Sequence, residues 1–510
     1  MYKNNIKTLQ ELVNTSADEY RNRVFIKEKN GKDVIEKTFV EFREDVKKAM
    51  AYVNTFSNGE PIHCAVVGAS SYAWIVSYFG TVCGGNASVP LDAQLGEDDI
   101  ADLLNRSDSV IFFYDKRFEK MIDGLKEKCP EVKAFVSLEN DLLDILEKYQ
   151  PEDFKPIEPS ALATISYTSG TTGKSKGVML LNSNLIDNAM CQDNESTPED
   201  VVMSVLPIHH IYCFTCDILL SMRYGNQLCF NDSMMRIPQN LKLFRPTVIL
   251  LVPMIAETMY KQIKAVSVAK PELSLKTIAE NVFGGRLKTI YSGGAYLRPE
   301  LQKAYIDMGI QMAQGYGMTE CSPRISTADP SDTECAGDVG IIVNGCQVKT
   351  VDGEIMVKSP SVMAGYYKDE QATAEALTPD GWLHTGDLGY VDDRNRLFLT
   401  GRKKNLIILS NGENVSPEEL ENKFAGLDYI SEIMVYSDDS VICAEIFPNR
   451  ELYPDDSVIE KMFRETVDNI NKTVPSAKAI RRLRIRDNGF DRTTSKKIIR
   501  QQSTHGWIIK

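Results

Sequence analysis

LATISYTSGTTGKSKGVMLL, residues 162–181, sets a ten-residue stretch rich in glycine, hydroxyls and lysine, Thr168 to Gly177, between two short apolar runs. Glycine admits positive φ, so successive amide N–H groups in such a stretch can converge on one anion. The hydroxyls of Thr168, Ser169, Thr171 and Thr172, the freedom of Gly170 and the ammonium of Lys176 add what a polyphosphate needs. The pattern is not a Walker loop, because the first glycine of GxxxxGK[ST] would fall at position 168, which is Thr. The flanks Leu162–Tyr167 and Val178–Leu181 both read as strands, so the loop joins strands and does not open a helix. The competing reading is a flexible surface turn with no ligand.

Outward from this loop, short apolar runs alternate with amphipathic helical patterns. Runs at Cys64–Val67, Ala87–Pro90, Ser109–Phe113, Val202–Leu206, Gln227–Phe230 and Thr247–Val252 are interleaved with segments such as Phe39–Val53 and Asp98–Leu104. That alternation predicts an α/β fold of layered, largely parallel sheets covered by helices. Cys64 to Leu91 carries no charge, yet Gly68, Gly80, Gly84, Gly85 and Pro90 cut it into pieces too short to span a bilayer. A buried strand–helix–strand is the expectation there. Pro151–Pro159 divides this block from the next.

After about residue 340 the texture changes: Gly353–Val357, Gly389–Val391, Arg396–Leu399 and Asn405–Leu409 read as short strands joined by polar turns. The predicted organisation is a large domain over residues 1–400 and a small α+β domain over residues 401–510. Within the latter, Asn411-Gly412 suits a hairpin turn. Ser416-Pro417-Glu418-Glu419 reads as a capping box opening a helix through Ala425.

The chain of 510 residues holds 58 Lys and Arg against 71 Asp and Glu, a formal charge of −13. That balance excludes a general nucleic-acid coat and an anionic-membrane protein. Eleven cysteines contain one CxxC, Cys213 to Cys216, and only five histidines accompany them, so a zinc site is poorly supplied. Reduced thiols, no transmembrane segment and an N-terminus, MYKNNIKTLQELVNTSADEY, without an apolar leader lead to the expectation of a cytoplasmic protein.

YTSGTTGKSKGVM resembles the phosphate loop of the adenylate-forming superfamily, which comprises acyl-CoA synthetases, peptide-synthetase adenylation domains and beetle luciferases. Further segments resemble that family in its own order: Leu206-Pro-Ile-His-His210, Tyr291-Ser-Gly-Gly-Ala295, Gly315-Tyr-Gly-Met-Thr-Glu320, His384-Thr-Gly-Asp387, Gly401-Arg-Lys-Lys404 and Thr493-Thr-Ser-Lys-Lys-Ile498. Their details are most similar to bacterial fatty-acyl-CoA ligases. The resemblance implies a large AMP-binding domain and a small mobile domain turning about a hinge at Lys404.

Members of the family attack the α-phosphate of ATP with a carboxylate and pass the acyl group from acyl-AMP to a thiol. The resemblance gives Glu320 a Mg²⁺ ion, and sets Thr319 and Thr168 on phosphate oxygens beside the loop residues Ser169, Gly170, Thr171, Thr172 and Lys176. It lays Tyr316, between Gly315 and Gly317, against the adenine, with Gly293, Gly294 and Ala295 as the opposite wall. Asp387, in a Gly-Asp-Leu-Gly turn, takes the ribose hydroxyls, and Arg402 reaches the ribose or phosphate. Lys497 stabilises charge in the transition state, although Lys496 stands where the family has glycine. Gly412 marks the thiol-binding face, and His209 or His210 guards the carboxylate entrance. Without the resemblance these residues read more simply: Thr319-Glu320 as a helix start with a favourable charge, Asp387 as a backbone acceptor, Arg402 and Lys404 as surface cations.

Leu251–Ile255, Tyr212 and Phe214 are candidates for an apolar acid pocket, and Asp217 for pairing with the ammonium of an amino acid. Residues 478–510 hold ten Lys or Arg against two acids, either a solvated face or a surface for ATP and a phosphorylated thiol. The expected function is an AMP-forming ligase joining an apolar carboxylic acid to coenzyme A, with ATP and Mg²⁺. A second reading is a stand-alone adenylation enzyme that loads the phosphopantetheine of an acyl or peptidyl carrier protein. A third is a degenerate nucleotide-binding protein without turnover.

Overall fold

The uncharged segment at Cys64–Leu91 forms the strand His63–Val67, the helix Tyr72–Val82 and the strand Ala87–Leu91 in this computed structural model. The structure describes residues 6–168, 175–191, 196–409, 414–438, 441–491, 498, 500 and 507–508. Ser71 starts the helix by accepting the Trp74 amide hydrogen on its hydroxyl. Ten of the helix's eleven residues are buried, so the absence of charge is a requirement of the core rather than of a membrane. Gly80 lets this helix close on the helix Phe39–Asn54, since a Cβ there would lie 2.6 Å from the Ala49 Cβ. Among the described residues no helix is long and apolar enough to cross a membrane.

Two compact units emerge, Met1–Val348 with Val357–Leu383, and Lys349–Met356 with His384–Lys510. The first unit contains two large sheets. One has seven strands in the order Gly365–Tyr366, Lys176–Leu181, Leu162–Thr168, Ala87–Leu91, His63–Val67, Ser109–Tyr114 and Ala134–Ser137. Its last five strands are parallel, as alternation with helices predicts, while the first two run antiparallel to their neighbours. The Pro151–Pro159 stretch therefore does not separate two sheets: the strand that follows it, Leu162–Thr168, pairs with Ala87–Leu91. The other sheet has nine strands, with Gln311–Gly317, Thr289–Ser292, Val248–Leu251, Val201–Ser204 and Gln227–Phe230 as its parallel centre.

In the second unit, Leu383–Val391 and Leu397–Arg402 pair antiparallel within a four-stranded sheet. A second sheet joins Ile430–Asp438, Val441–Pro448, Arg482–Ile485 and Trp507–Ile508, and its core includes Val435, Ile446, Phe424, Ile459 and Phe463. Two local expectations need correction here. The helix after Ser416 runs only from Pro417 to Asn422 and ends in i→i+3 turns at Lys423, Phe424 and Ala425. Its capping box does not form, because the Ser416 hydroxyl donates to Glu418 at 3.0 Å instead of accepting a helix amide. Asn411-Gly412 lies outside the described residues.

Among the described residues of the basic run after residue 478, four arginines are paired with the unit's own acids. Arg482 and Arg484 share Asp438, Arg486 pairs with the buried Glu445, and Arg500 bonds Glu421 at 2.6 Å. These four cations are thus committed to ion pairs within the unit.

One buried side chain ties the large unit together near Glu320. Asn188, on the helix Asn182–Met190, is 0% exposed. It donates to the carbonyls of Cys321 and Arg324, 3.0 Å each, and accepts the Arg324 amide at 3.1 Å. Asn188→Ala leaves three backbone groups unpaired, so we expect it to lower stability by about 2–4 kcal/mol. Chemical denaturation of the variant beside wild type measures this, and an unchanged midpoint refutes it.

Candidate active site

Thr168 and Lys176 end and begin the two strands of the loop's hairpin and stand opposite each other in its register. Ser169, Gly170, Thr171 and Thr172 lie outside the described residues. The Lys176 ammonium lies 4.9 Å from the centroid of the Tyr366 ring. Tyr366 in turn donates its phenol hydrogen to Glu320 Oε1 at 2.8 Å. The lysine that closes the loop and the candidate metal-holding carboxylate thus meet on one tyrosine.

Glu320 is 9% exposed and sits in a single 3₁₀ turn, Thr319–Cys321, not at the start of an α-helix. Such a turn makes only two backbone bonds of its own, from the Cys321 amide to the Met318 carbonyl and from the Ser322 amide to the Thr319 carbonyl, and other elements add to them. Asn188 holds Cys321, Thr215 donates to the Ser322 carbonyl at 2.9 Å, and the Met363 amide donates to the Glu320 carbonyl at 2.9 Å. No group of three or more His, Cys, Asp or Glu side chains converges on a metal position among the described residues. One buried carboxylate next to the Thr319 hydroxyl fits a Mg²⁺ ion whose other ligands come from a nucleotide.

The strands Thr289–Ser292 and Gln311–Gly317 run parallel and side by side, so Gly293–Ala295 leaves the sheet next to Gly315–Gly317. Gln314 Nε2 donates to the Ala295 carbonyl at 3.3 Å, holding the two segments together. Crevices at the carboxyl ends of parallel strands are common ligand sites. Gly317 has no alternative, since a Cβ there would lie 2.1 Å from the Pro323 carbonyl oxygen. Tyr316 is buried within its strand.

The His209 and His210 rings are 4.1 Å apart. His209 is nearly buried, its Nε2 lying 3.8 Å from Asp92 Oδ1. Burial first, and the neighbouring His210 second, push its pKa well down and keep the imidazole neutral. His210 is exposed. The apolar candidates are chiefly core: Phe214 packs on Tyr78 at 4.3 Å, and Leu251 and Ile255 belong to the large unit's main cluster. Asp217, 0% exposed on the π-helical turn Phe214–Leu219, accepts a hydrogen bond from the Cys213 thiol. That burial does not suit pairing with a substrate ammonium.

In the second unit, Asp387 lies within the strand Leu383–Val391 and not in a turn. The correction has a plain cause: Gly386 adopts φ +69° and Leu388/Gly389 carry a register shift, so the strand continues through a glycine-rich sequence that reads as a turn. Arg402 stands opposite Asp387 and donates from Nε to Oδ1 at 2.8 Å. Beside them the buried Glu354 accepts from Lys403 at 2.8 Å, His384 at 3.2 Å and the Gly386 amide at 3.1 Å. Burial opposes its ionisation, but the Lys403 and His384 bonds prevail and hold the carboxyl below its usual range. Lys404 is exposed in the single turn Lys403–Asn405. Gly412, Lys496 and Lys497 lie outside the described residues.

The family model of the AMP-binding enzyme matches residues 13–367, and that of the AMP-binding enzyme C-terminal domain matches residues 404–507. The chain belongs to the AMP-binding enzyme family. Among its relatives, long chain acyl-CoA synthetase 7, peroxisomal, of Arabidopsis thaliana is 31% identical over 433 residues, 72% of this chain and 61% of that protein. The Homo sapiens long-chain-fatty-acid–CoA ligase 1 is 28% identical over 72% of this chain and 62% of its own length. The chain thus spans about three fifths of the length of these curated relatives. Among solved structures, the anthranilate CoA ligase AuaEII in complex with anthranoyl-AMP aligns with a TM-score of 0.83 at 18% identity, covering 97% of this chain and 96% of that one. The Mycobacterium tuberculosis fatty acyl CoA synthetase aligns with a TM-score of 0.73 at 19% identity, covering 97% of each. These likenesses show the fold: a large N-terminal and a small C-terminal domain of mixed α/β structure.

Within this AMP-binding enzyme, sequence reasoning missed Tyr366, Asn188, Asp92 and Glu354. None carries a motif of its own, and each is recruited from 30 or more residues away in the chain. Asp217 generates a test of the buried cluster. Burial raises its carboxyl from 3.8 to about 7. Between those values the folded state keeps a proton that the unfolded chain has lost, so stability falls as pH rises through that window. Thermal melts from about pH 5 to about pH 8 are expected to fall more steeply for wild type than for Asp217→Asn; parallel curves refute the assignment.

Proposed function

We propose that this AMP-binding enzyme is an AMP-forming acid–thiol ligase, which activates an apolar, fatty or aryl, carboxylic acid with ATP and transfers it to coenzyme A. The observation that carries the proposal is the buried Glu320 held by Tyr366 next to the loop's closing lysine, in a chain aligned over most of its length with long-chain acyl-CoA synthetases. Eleven cysteines without a disulfide support a reducing compartment, the cytoplasm.

In this reading the acid's carboxylate attacks the α-phosphorus of ATP and pyrophosphate leaves; the thiol then attacks the acyl carbon and AMP leaves. Two anions must approach, so the first demand is charge neutralisation and alignment. Lys176 and the hydroxyl of Thr168, with Ser169, Gly170, Thr171 and Thr172, bind the phosphates. Thr319 contacts phosphate oxygens, and Glu320 would hold the Mg²⁺, which when bound screens phosphate charge. Gly293–Ala295 and Gly315–Gly317 hold the adenine, with Tyr316 against it, while Asp387 takes ribose hydroxyls and Arg402 orients Asp387 through their 2.8 Å bond. His209, neutral and apolar-flanked, guards the acid's entrance with His210. Lys497 stabilises the adenylation transition state, Lys404 is the hinge and Gly412 lies on the thiol-binding face.

Pyrophosphate release from MgATP across a panel of carboxylic acids, with and without CoA, tests the proposal. Apolar acids are expected to drive release and CoA to accelerate it, with acyl-CoA formed. Acid-dependent release indifferent to CoA would replace CoA by a carrier-protein thiol, and silence from folded protein would overturn the ligase reading. Lys497→Ala is expected to lower adenylation by about 10²-fold or more, while transfer from preformed acyl-AMP to CoA persists. Equal loss of both half-reactions in a folded variant refutes that role.

A further inference from the structure

Tyr366 belongs to no segment that the motifs single out, yet it makes the one side-chain bond to the Glu320 carboxylate among the described residues. It is brought there by topology. The two-residue strand Gly365–Tyr366 adds itself to the edge of the loop's hairpin, with Tyr366 opposite Val178 and Gly365 opposite Met179. The same segment reaches Glu320 twice, through the Met363 amide to the Glu320 carbonyl and through the Tyr366 phenol to the Glu320 carboxylate. Its own backbone is fixed in turn, because the Tyr366 amide donates to the Thr373 hydroxyl at 2.9 Å.

The electrostatics are directional. A cation over the ring face draws electron density from the phenol and makes its O–H a stronger donor, and the acceptor is a carboxylate, so the bond is charge-assisted. Tyr366 thereby fixes Oε1 of the Glu320 carboxylate.

We infer that Tyr366 is a positioning residue that fixes the Glu320 carboxylate for a nucleotide-borne divalent cation and couples it to the phosphate loop through Lys176. The inference rests on the adenylating reading of the site.

Tyr366→Phe tests it, keeping the ring and its contact with Lys176 and removing only the hydroxyl. Binding of a non-hydrolysable ATP analogue to the full chain is titrated calorimetrically with and without Mg²⁺, and acid-dependent pyrophosphate release is followed against Mg²⁺ concentration. In the variant, the Mg²⁺-dependent gain in analogue affinity is expected to shrink about tenfold, metal-free binding to stay unchanged, and the Mg²⁺ requirement for turnover to rise. The KM for the acid is expected to hold. In a Glu320→Ala background, Tyr366→Phe is expected to have no further effect on Mg²⁺ dependence. Equal loss of binding with and without Mg²⁺ would mean a general structural role and overturns the inference, as does a variant matching wild type in both titrations. If wild type turns over without any Mg²⁺ dependence, the positioning role falls while the ligase reading stands. If wild type neither binds the analogue nor turns over, both fall.

Discussion

The constraint on which the large unit's chemistry depends is the burial of a carboxylate on a turn too short to support itself. A 3₁₀ turn of three residues supplies only two backbone bonds here, far fewer than a long helix or a strand within a sheet. Glu320 is nevertheless enclosed, and a buried charge needs fixed partners. The carboxylate's partner is Tyr366 from the edge strand, while the backbone of the turn is held by Asn188 from a helix, Thr215 from the π-helical turn and Met363 from the segment just before that strand. The antiparallel edge of the seven-stranded sheet makes that convergence possible, because it brings segments nearly two hundred residues apart in the chain side by side.

The second unit solves a similar problem with different chemistry. Its buried carboxylate, Glu354, is held by an ammonium, an imidazole and a backbone amide at once. Those three donors come from the strand bearing Asp387 and from the turn bearing Lys404. The segment His384–Asp387 is therefore oriented from beneath by Glu354 and from across the ladder by Arg402. In both units the chemically suggestive residue is the visible part of a network whose remaining members are ordinary polar side chains.

This explains what could be read in the sequence. The α/β architecture follows from alternating apolar runs and amphipathic helices, and the strands at His63–Val67 and Ala87–Leu91 fall within a residue of their predicted bounds. The loop's strand–loop–strand setting was legible because glycine and hydroxyls between two apolar runs have few other uses. The resemblance to a known family supplied Glu320 and Asp387, which their local sequence alone would not have marked as special. Tyr366, Asn188 and Glu354 were not legible, since a side chain that acts through tertiary contact leaves no periodic signal. The Asp387 turn was misread because glycines favour both bends and bulged strands, and only pairing with Arg402 distinguishes them.

The two-residue strand Gly365–Tyr366 has a consequence beyond the site. It covers the outer rim of Lys176–Leu181, whose amides and carbonyls would otherwise face solvent as a template for another chain. Being only two residues long and followed by the helix Glu370–Ala376, it offers a newcomer little rim of its own. The segment that touches the carboxylate thus also guards the sheet against self-association, and losing it would exact its toll in solubility during synthesis before any substrate was met.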